Sequence, residues 1–465
     1  RSGNLQVYLD TVRLIEPVLY MQARGIKLDM GRREAMATYY RKLEAHILGH
    51  MKKVLAADLN PNSHQQCMAY FFGERVFRKK FPKKELSADL QSLCNISPKY
   101  APAVKDGRIT INADVLDRFA AKGDKAATLI VNARTAGKIA ATFLEYPVLD
   151  GRTRSELHVG GAVSGRFSSS AFLWGEGCNM QNMPNGVKSC WIANEASVPF
   201  KLDVSGADNK FVAYQAGCRF QIEAFERGED LHQLTADRMA TILGRPVSRA
   251  EAKRTNHGLN YGEGVRTASI KWRCSEAEAR TFIDLYFKVN PEIRTGFHAP
   301  TRAALLARLP ILENVFGRKR RFLPRVSRNK TGLLEADAAT VNEALNWLGQ
   351  SPVAHVVNVW GILGIYYNES LADVDILNQI HDEIDVQIPL SVGWLRMATL
   401  LMRVRDLFQQ TIEIKGRICR IKVDAKMGTM LRPNWGGGMR SIKQLQSSYA
   451  IALAAELAAI WKGAV

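Results

Sequence analysis

The sequence predicts an α+β protein with two or three lobes that share a cleft. Its 465 residues are too many for one compact core. Segments with helical periodicity alternate with an apolar strand that ends at Asp203 and with a β-hairpin at residues 376–388. Apolar residues make up 46% and charged residues 23%, which is the composition of a globular protein.

The composition also indicates a compartment. No run of about 18 apolar residues occurs, so we expect no membrane segment. The seven cysteines include no C-x-x-C pair, which argues against a disulfide framework or a structural zinc site and favours the cytoplasm. We expect no signal peptide, and the start without Met leads us to expect the C-terminal part of a longer protein.

The charge favours a polyanionic partner. With 64 basic and 45 acidic residues the net charge is +19. Basic runs at residues 78–84 and 318–321 suit the many weak contacts that a phosphate backbone offers. Scattered lysines on an ordinary soluble protein are the alternative interpretation.

Helices are predicted along most of the chain, and two strand signals interrupt them. Ile384, Val386 and Ile388 share one face of the hairpin, and the segment 57–125 is mixed, basic and loop-rich. A strong final helix is predicted after a flexible triple-glycine joint at 436–438, because Leu445, Tyr449, Leu453 and Leu457 recur at every fourth position. The predicted helical segments are 8–24 (which Gly25 can end), 32–56, 126–146, 230–244, 248–262, 275–287 and 441–461.

Two acidic segments lie at predicted strand ends. Asp382 and Glu383 are adjacent in the hairpin, and because neighbouring strand residues point to opposite faces, only one of them can be a direct inward ligand. A bound cation would relieve their repulsion, and a solvated acidic turn is the alternative. Asp203 precedes a tight turn into a helix that contains Asp208, so it presents an oxygen ligand or simply caps the helix.

A basic helix is predicted to begin at Arg249. Arg249, Lys253, His257 and Tyr261 are each four residues apart, so each step rotates by only about 40° and the four share a face. Two cations followed by two rings suit a triphosphate, a sugar and a base. A basic amphipathic helix with a buried tyrosine is the alternative.

Side chains that could donate hydrogen bonds to nucleic acid without distinguishing its base sequence occur in two segments. Arg166, Asn179, Gln181 and Asn182 lie in a polar, turn-rich segment. Asn346 and Gln350 are four apart on a predicted helix and so share a face. Such groups contact sugar, phosphate and minor-groove acceptors. Exposed surface side chains are the alternative.

Taken in order, these segments resemble family A DNA polymerases, the class of bacterial DNA polymerase I and many phage replicases. The family motif D-x-S-x-x-E corresponds to residues 203–208, R-x-x-x-K-x-x-x-[FY]-G-x-x-Y-G to 249–262, and H-D-E to 381–383. The segments G-R-x-S-S, N-x-Q-N-x-P, G-x-D-x-H and G-R-x-R also occur in the family order. The ordered matches extend from about residue 150 to 435.

The resemblance implies a right-hand polymerase fold, with an antiparallel sheet in the palm and helical fingers and thumb. The expected parts are an N-terminal palm-associated helix (1–35), the thumb (36–150), the first part of the palm (151–228), the fingers (229–345), the second part of the palm (346–438) and a C-terminal helix (439–465).

The resemblance also implies a template-directed DNA polymerase that uses two Mg²⁺ ions, for which Mn²⁺ can substitute. Asp203 and Asp382 would hold the metal ions, with Glu383 as a third catalytic acid. The residues implied for the incoming nucleotide are His232, Arg249, Lys253, His257, Tyr261 and Asp208. Those implied for DNA are Arg166, Asn179, Gln181, Asn182, Asn346, Gln350 and His381.

The implied partners are primer–template DNA and dNTPs, with an upstream exonuclease domain or a replication protein as a further partner. We expect a monomer that does not proofread within this chain. A phage-type enzyme would work in the cytoplasm of its host cell.

Three positions depart from the family pattern. The chain has His257 where the family has Phe or Tyr, Asp208 where Glu is usual, and Asn342 where Arg is usual. One alternative function is a single-subunit RNA polymerase, but those enzymes usually end the third motif in H-D-S, and this chain has Glu383. A catalytically inactive DNA-binding scaffold is the other alternative, and both expected metal-binding Asp residues are present.

Overall fold

A computed structural model describes residues 4–463 apart from 56, 97–99, 106–107, 173–174, 205 and 273. Ser205, which belongs to the first motif, therefore lies outside the described residues. The chain divides into two compact units, residues 29–147 and the remainder of the chain on either side of them. The roles of the domains expected from the sequence stay predictions.

A five-stranded antiparallel sheet organises the larger unit. Its strands follow the order Asp375–Ile380, Glu383–Pro389, Ser197–Asp203, Asp424–Met427 and Arg440–Ser441. The central strand is Ser197–Asp203, which pairs on both sides. The predicted strand before Asp203 and the predicted hairpin are thus confirmed, and so is the α+β class.

Apolar alternation explains why these segments form the sheet. Val198, Phe200 and Leu202 on the central strand and the hairpin residues that face them are buried in one core. Burial of each such side chain contributes about 1.5–3 kcal/mol. The strands are therefore fixed in register, because a shift by one residue would expose the whole apolar set.

Helices make up most of the larger unit outside the sheet. The longest of them is Ala338–His355, and the boundary expected at residue 345 falls inside it. The other α-helices are Leu5–Arg13, Ile15–Arg24, Ala207–Ala216, Arg219–Glu226, Leu231–Leu243, Arg249–Asn260, Val265–Trp272, Glu276–Val289, Ala299–Leu305, Gly364–Tyr366, Trp394–Phe408 and Ala450–Lys462, with π-helices Ile293–His298 and Val356–Leu363.

Short elements connect these helices and the main sheet. A three-stranded sheet joins Arg152–Thr153, Ile26–Leu28 and Trp191–Ile192. The two-stranded pairs are Glu156–His158 with Ser168–Ser170, Ile311–Glu313 with Lys319–Arg321, Val326–Arg328 with Leu334–Ala336, and Ile412–Ile414 with Arg417–Cys419. The 3₁₀ turns are Met180–Asn182, Val187–Cys190, Glu369–Leu371, Leu390–Val392 and Gln444–Gln446.

The smaller unit is more helical than the sequence predicted. Its α-helices are Met30–Leu55, His64–Lys80, Ala88–Cys94, Ala113–Ala121 and Lys125–Phe143, beside the hairpin of Ala103–Lys105 and Arg108–Thr110. The prediction of a loop-rich segment 57–125 was wrong because its helices are short, and Gly73 (φ 73°) interrupts the longest of them. Local side-chain caps start three of them, at Ser63, Ser87 and Asn112.

Two predicted helices differ in their limits. The predicted helix 8–24 is broken at Leu14, because Pro17 has no N–H to donate to the carbonyl four residues earlier. The final helix begins only at Ala450, since the side chain of Ser447 accepts from the backbone N–H of Tyr449 and competes with helix formation. Leu445 therefore lies in a separate 3₁₀ turn.

The triple glycine at 436–438, which was predicted to be a flexible joint, is closely packed at its first residue. A Cβ at Gly436 would lie 2.2 Å from the backbone nitrogen of Ser189, so this glycine permits a close approach of two backbones. None of the helices in the described parts of the chain combines the length and apolarity needed to cross a bilayer.

The corrected start of the final helix makes a prediction about stability. Leu457 is 0% exposed and Tyr449 is 76% exposed, although both were expected on one buried stripe. Leu457→Ala should lower the free energy of unfolding by about 2–5 kcal/mol, because it leaves a cavity. Tyr449→Ala should change it by less than about 0.5 kcal/mol. Denaturant unfolding followed by fluorescence measures both, and equal losses would contradict the observed helix start.

Candidate active site

Acidic residues meet at the end of the central strand. Asp203 is directly opposite Glu383 on the hairpin strand and opposite Asp424 on the other side. Asp382 occupies the hairpin turn, and its carbonyl accepts a hydrogen bond from the backbone N–H of Val204 at 3.1 Å. Two segments that are about 180 residues apart in the chain are thus joined where both end in carboxylates.

Burial and the proximity of these acids to one another change their pKa values. Burial, followed by the charges of the three neighbouring carboxylates, raises the pKa of Asp203 to about 6. Burial also raises the pKa of Asp382, and the nearby Arg166 only partly opposes this. Positive charge placed beside these groups would therefore be strongly favoured.

Cations of the chain already contact two of the acids. A guanidinium nitrogen of Arg166 is hydrogen-bonded to Asp382. Lys188 and Lys201 lie 2.9 and 3.1 Å from one carboxylate oxygen of Glu383. Burial tends to raise the pKa of Glu383, but the two lysines outweigh it and the pKa is lowered.

Of the three predicted catalytic acids, Asp382 and Glu383 are thus paired with cations of the protein. In the described parts of the chain, no three His, Cys, Asp or Glu side chains are arranged as a metal site. Sequence analysis did not identify Lys188, Lys201 or Asp424. Lys201 had a signal, since it is a charged residue inside an otherwise apolar strand.

An open cleft of about 390 Å³ lies in front of these acids. Asp203, Asp382 and Glu383 line it together with Gln181, Asn182 and His381. His381 has a φ of 53°, which lets the hairpin turn within two residues. Three of the predicted DNA-binding side chains thus share one cleft with the predicted catalytic acids.

The remaining predicted DNA-binding amides have local partners. Asn179 exchanges two hydrogen bonds with Ser169, at 2.5 and 2.6 Å. Asn346 donates to the carbonyl of Asn342, and Gln350 donates to Asn346, so the two share a helix face as expected. Between them Trp347 donates to the carbonyl of Val163 at 2.9 Å, which ties this helix to the segment before Arg166.

The basic helix Arg249–Asn260 begins with a capping box formed by Ser248 and Glu251. Arg249 lies 2.6 Å from Asp230, which also caps the helix Leu231–Leu243. Lys253 is exposed. Both predicted cations of this helix are therefore exposed.

His232 is held by a neighbour that the sequence did not reveal. The amide nitrogen of Asn256 lies 3.0 Å from its Nδ1. Burial, and then the positive charge of Arg249, lower the pKa of His232. Because an amide nitrogen can only donate, Nδ1 is the acceptor and the proton of the neutral ring is on Nε2.

Asp208, His257 and Tyr261 form a compact group. The Tyr261 hydroxyl is 3.2 Å from Asp208, and Nε2 of His257 is 3.5 Å from the same carboxylate oxygen. Tyr261 is buried just beyond the helix end, and burial and then the Asp208 charge raise its pKa. Its ring lies against Gly349, where a Cβ would be 2.5 Å from the hydroxyl oxygen.

Comparisons with known proteins bear on the fold and the family of this chain. The solved polymerase domain of Pol1 from M. smegmatis, in complex with a DNA primer-template and dNTP, has the same fold. Its TM-score is 0.72 at 20% identity, and the alignment covers 91% of this chain and 70% of that one. The similarity in fold therefore extends over most of this chain.

Relatives found by sequence are DNA polymerases as well. The thermostable DNA polymerase I of Thermus aquaticus is 23% identical over 83% of this chain and 44% of its own length. DNA polymerase I of Rhizobium leguminosarum is 24% identical over 93% of this chain and 41% of its own length. The chain thus spans less than half of these relatives. The model of the family described as DNA polymerase family A matches residues 33–436, and because this is most of the sequence, the chain belongs to DNA polymerase family A.

Proposed function

We propose that this chain adds deoxynucleotides to the 3′ end of a primer under the direction of a template. The observation that supports this most strongly is the meeting of Asp203 and Asp382 in one cleft lined by polar side chains. The basic helix lies in the same unit, with its cations exposed. Phosphoryl transfer requires this combination of acids for metal ions and cations for phosphates.

The acids fit two divalent cations. Asp203 and Asp382 would hold Mg²⁺ or Mn²⁺, with Glu383 as an auxiliary acid, because carboxylate oxygens are the hard ligands that these ions prefer. The raised pKa of Asp203 supports this assignment, because added positive charge beside the buried carboxylate would be favoured. Ions held by these residues would supply Lewis-acid chemistry, which would favour deprotonation of the primer hydroxyl and departure of pyrophosphate.

Other side chains bind and orient the nucleotide. Arg249 and Lys253 are proposed to bind the triphosphate, together with the Nε2–H of His232. Asp208 and Tyr261 form the proposed sugar gate, the pair that packs under the sugar and excludes a 2′-hydroxyl. His257 lies against both of them, since its ring centre is 5.0 Å from that of Tyr261.

The duplex would lie along the polar side of the cleft. Gln181, Asn182 and His381 line it directly. Arg166, which pairs with Asp382 in the structure, is proposed to contact the minor groove when DNA is bound. The proposed minor-groove contacts also include Asn179, Asn346 and Gln350. A monomeric replicase of phage type in the cytoplasm, with an exonuclease domain or replication protein as a partner, is the finer form of the proposal and rests on the resemblance.

The two acids should be essential for synthesis. Asp382→Asn and Asp203→Asn keep the side-chain shape but remove a charged ligand, so primer extension should fall by several orders of magnitude while primer–template binding persists. Asp424→Asn is the matched control. Asp424 lies opposite Asp203 on the neighbouring strand, is exposed and is not a proposed ligand. Single-turnover extension measures all three. Near wild-type rates in both Asp203→Asn and Asp382→Asn would refute the assignment.

Duplex binding should weaken steeply with salt. The net charge of +19 implies many phosphate contacts, each of which releases counterions. Fluorescence anisotropy with labelled primer–template should show log K falling linearly with log salt between about 50 and 200 mM. A flat affinity over that range would argue against a cleft that grips the DNA backbone.

His257 should permit dideoxynucleotides. In the family, Phe at this position rejects them and Tyr accepts them, because a polar group stands in for the missing 3′-hydroxyl. An imidazole can also donate a hydrogen bond, and His257 is half exposed beside Asp208. The ratio of dideoxy to deoxy insertion should therefore fall in His257→Phe. If the wild-type protein already rejects dideoxynucleotides as strongly as this variant, His257 only fills space.

A further inference from the structure

We infer that Asn209 and Asn260 are positioning residues that fix the width of the sugar gate and thereby exclude ribonucleotides. This inference rests on the proposed function. It assigns sugar selectivity to a buried bridge of two amides behind the gate rather than to the gate residues alone. Neither asparagine is proposed to touch the nucleotide.

The Asn209–Asn260 bridge and the Asp208–Tyr261 gate both connect the helix Ala207–Ala216 to the end of the basic helix. Asn209 directly follows Asp208 on the helix Ala207–Ala216, and Asn260 directly precedes Tyr261 at the end of the basic helix. The amide of Asn260 donates to Asn209 at 2.8 Å, while the Tyr261 hydroxyl lies 3.2 Å from Asp208. A shift of one helix relative to the other must therefore change both distances together.

Burial makes this bridge rigid. Asn209 is 4% exposed and Asn260 is 0% exposed, so neither amide has water as an alternative partner. Breaking the bond would leave two polar groups unpaired in the protein interior. Two apolar side chains would also fill this space, but apolar contacts are not directional and permit sliding.

Asn260 also forms hydrogen bonds with residues outside the two helices that the bridge connects. The Tyr286 hydroxyl donates to its side-chain oxygen at 2.7 Å, and Gln221 donates to that hydroxyl at 3.1 Å. The carbonyl of Asn260 lies 2.9 Å from Nε2 of His298. Its side chain and backbone are thus both anchored to elements outside the basic helix.

The chemistry of the gate requires this support. A ribonucleotide differs from a deoxynucleotide by one oxygen, so exclusion depends on holding the gate within about 0.5 Å. Asp208 is one methylene shorter than the Glu usual in the family and reaches less far toward Tyr261. The bridge compensates by keeping the two helices close enough for the 3.2 Å contact.

The test compares insertion of a single dNTP and the matching NTP by Asn209→Leu, Asn260→Leu and the double variant. The single variants should raise the NTP to dNTP ratio of kcat/KM by about five- to tenfold, the factor expected for one lost hydrogen bond. Insertion of dNTP should stay within about threefold of wild type, and the double variant should show less than the product of the single effects.

Control variants separate positioning from stability. Ser351→Ala removes another buried hydrogen bond, the one of 2.8 Å from Asn314, and should lower Tm without changing selectivity. Asp208→Ala is the positive control and should relax selectivity. Tyr286→Phe removes only the hydroxyl that supports Asn260 and should shift the ratio in the same direction but less, so it replaces the leucine variants if those fail to fold.

The outcomes are distinct. A raised NTP to dNTP ratio in the single variants, with that of Ser351→Ala unchanged, supports the inference. If the asparagine variants and Tyr286→Phe insert dNTP and NTP in the wild-type ratio, the bridge is merely structural and the inference is overturned, while the proposed function stands. If the wild-type protein inserts neither nucleotide on a primed template, the proposed function fails and the inference fails with it.

Discussion

The repulsion among carboxylates at the end of the central strand is the constraint on which the site depends. Strand register alone places Glu383 and Asp424 beside Asp203, and the hairpin turn adds Asp382. Such a cluster is unfavourable without compensating cations. Burial, and then the three neighbouring carboxylates, raise the pKa of Asp203 to about 6. The sheet is stable because its apolar core fixes the register strongly enough to hold the acids together.

The protein compensates with its own cations. Lys188 is buried and Lys201 is half-buried, and both contact one carboxylate oxygen of Glu383. Arg166 pairs with Asp382 and is the cation proposed to contact the duplex. In the proposed complex Arg166 would donate to minor-groove acceptors instead, which would leave Asp382 without its ion-pair partner.

The sequence predicted the parts of the site whose chemistry is local. Asp203, Asp382 and the helix from Arg249 were recognisable because strand ends, turns and four-residue spacing are visible in the residues themselves. Lys188, Asn256 and the Asn209–Asn260 bridge were not, since their partners are distant in the chain and only packing joins them. The late start of the last helix was missed for a similar reason: the spacing of Leu445 continues through Ser447, whose own hydrogen bond stops the helix.

Extension of a primed template by the wild-type chain, with dNTPs or with NTPs and with or without Mg²⁺, tests the central claim most directly. The account predicts products that follow the template, form with dNTPs far more than with NTPs, and require the divalent ion. Comparable extension with NTPs would point instead to an RNA polymerase-like enzyme. Duplex binding without any extension in Mg²⁺ or Mn²⁺ would contradict the account and leave a DNA-binding scaffold.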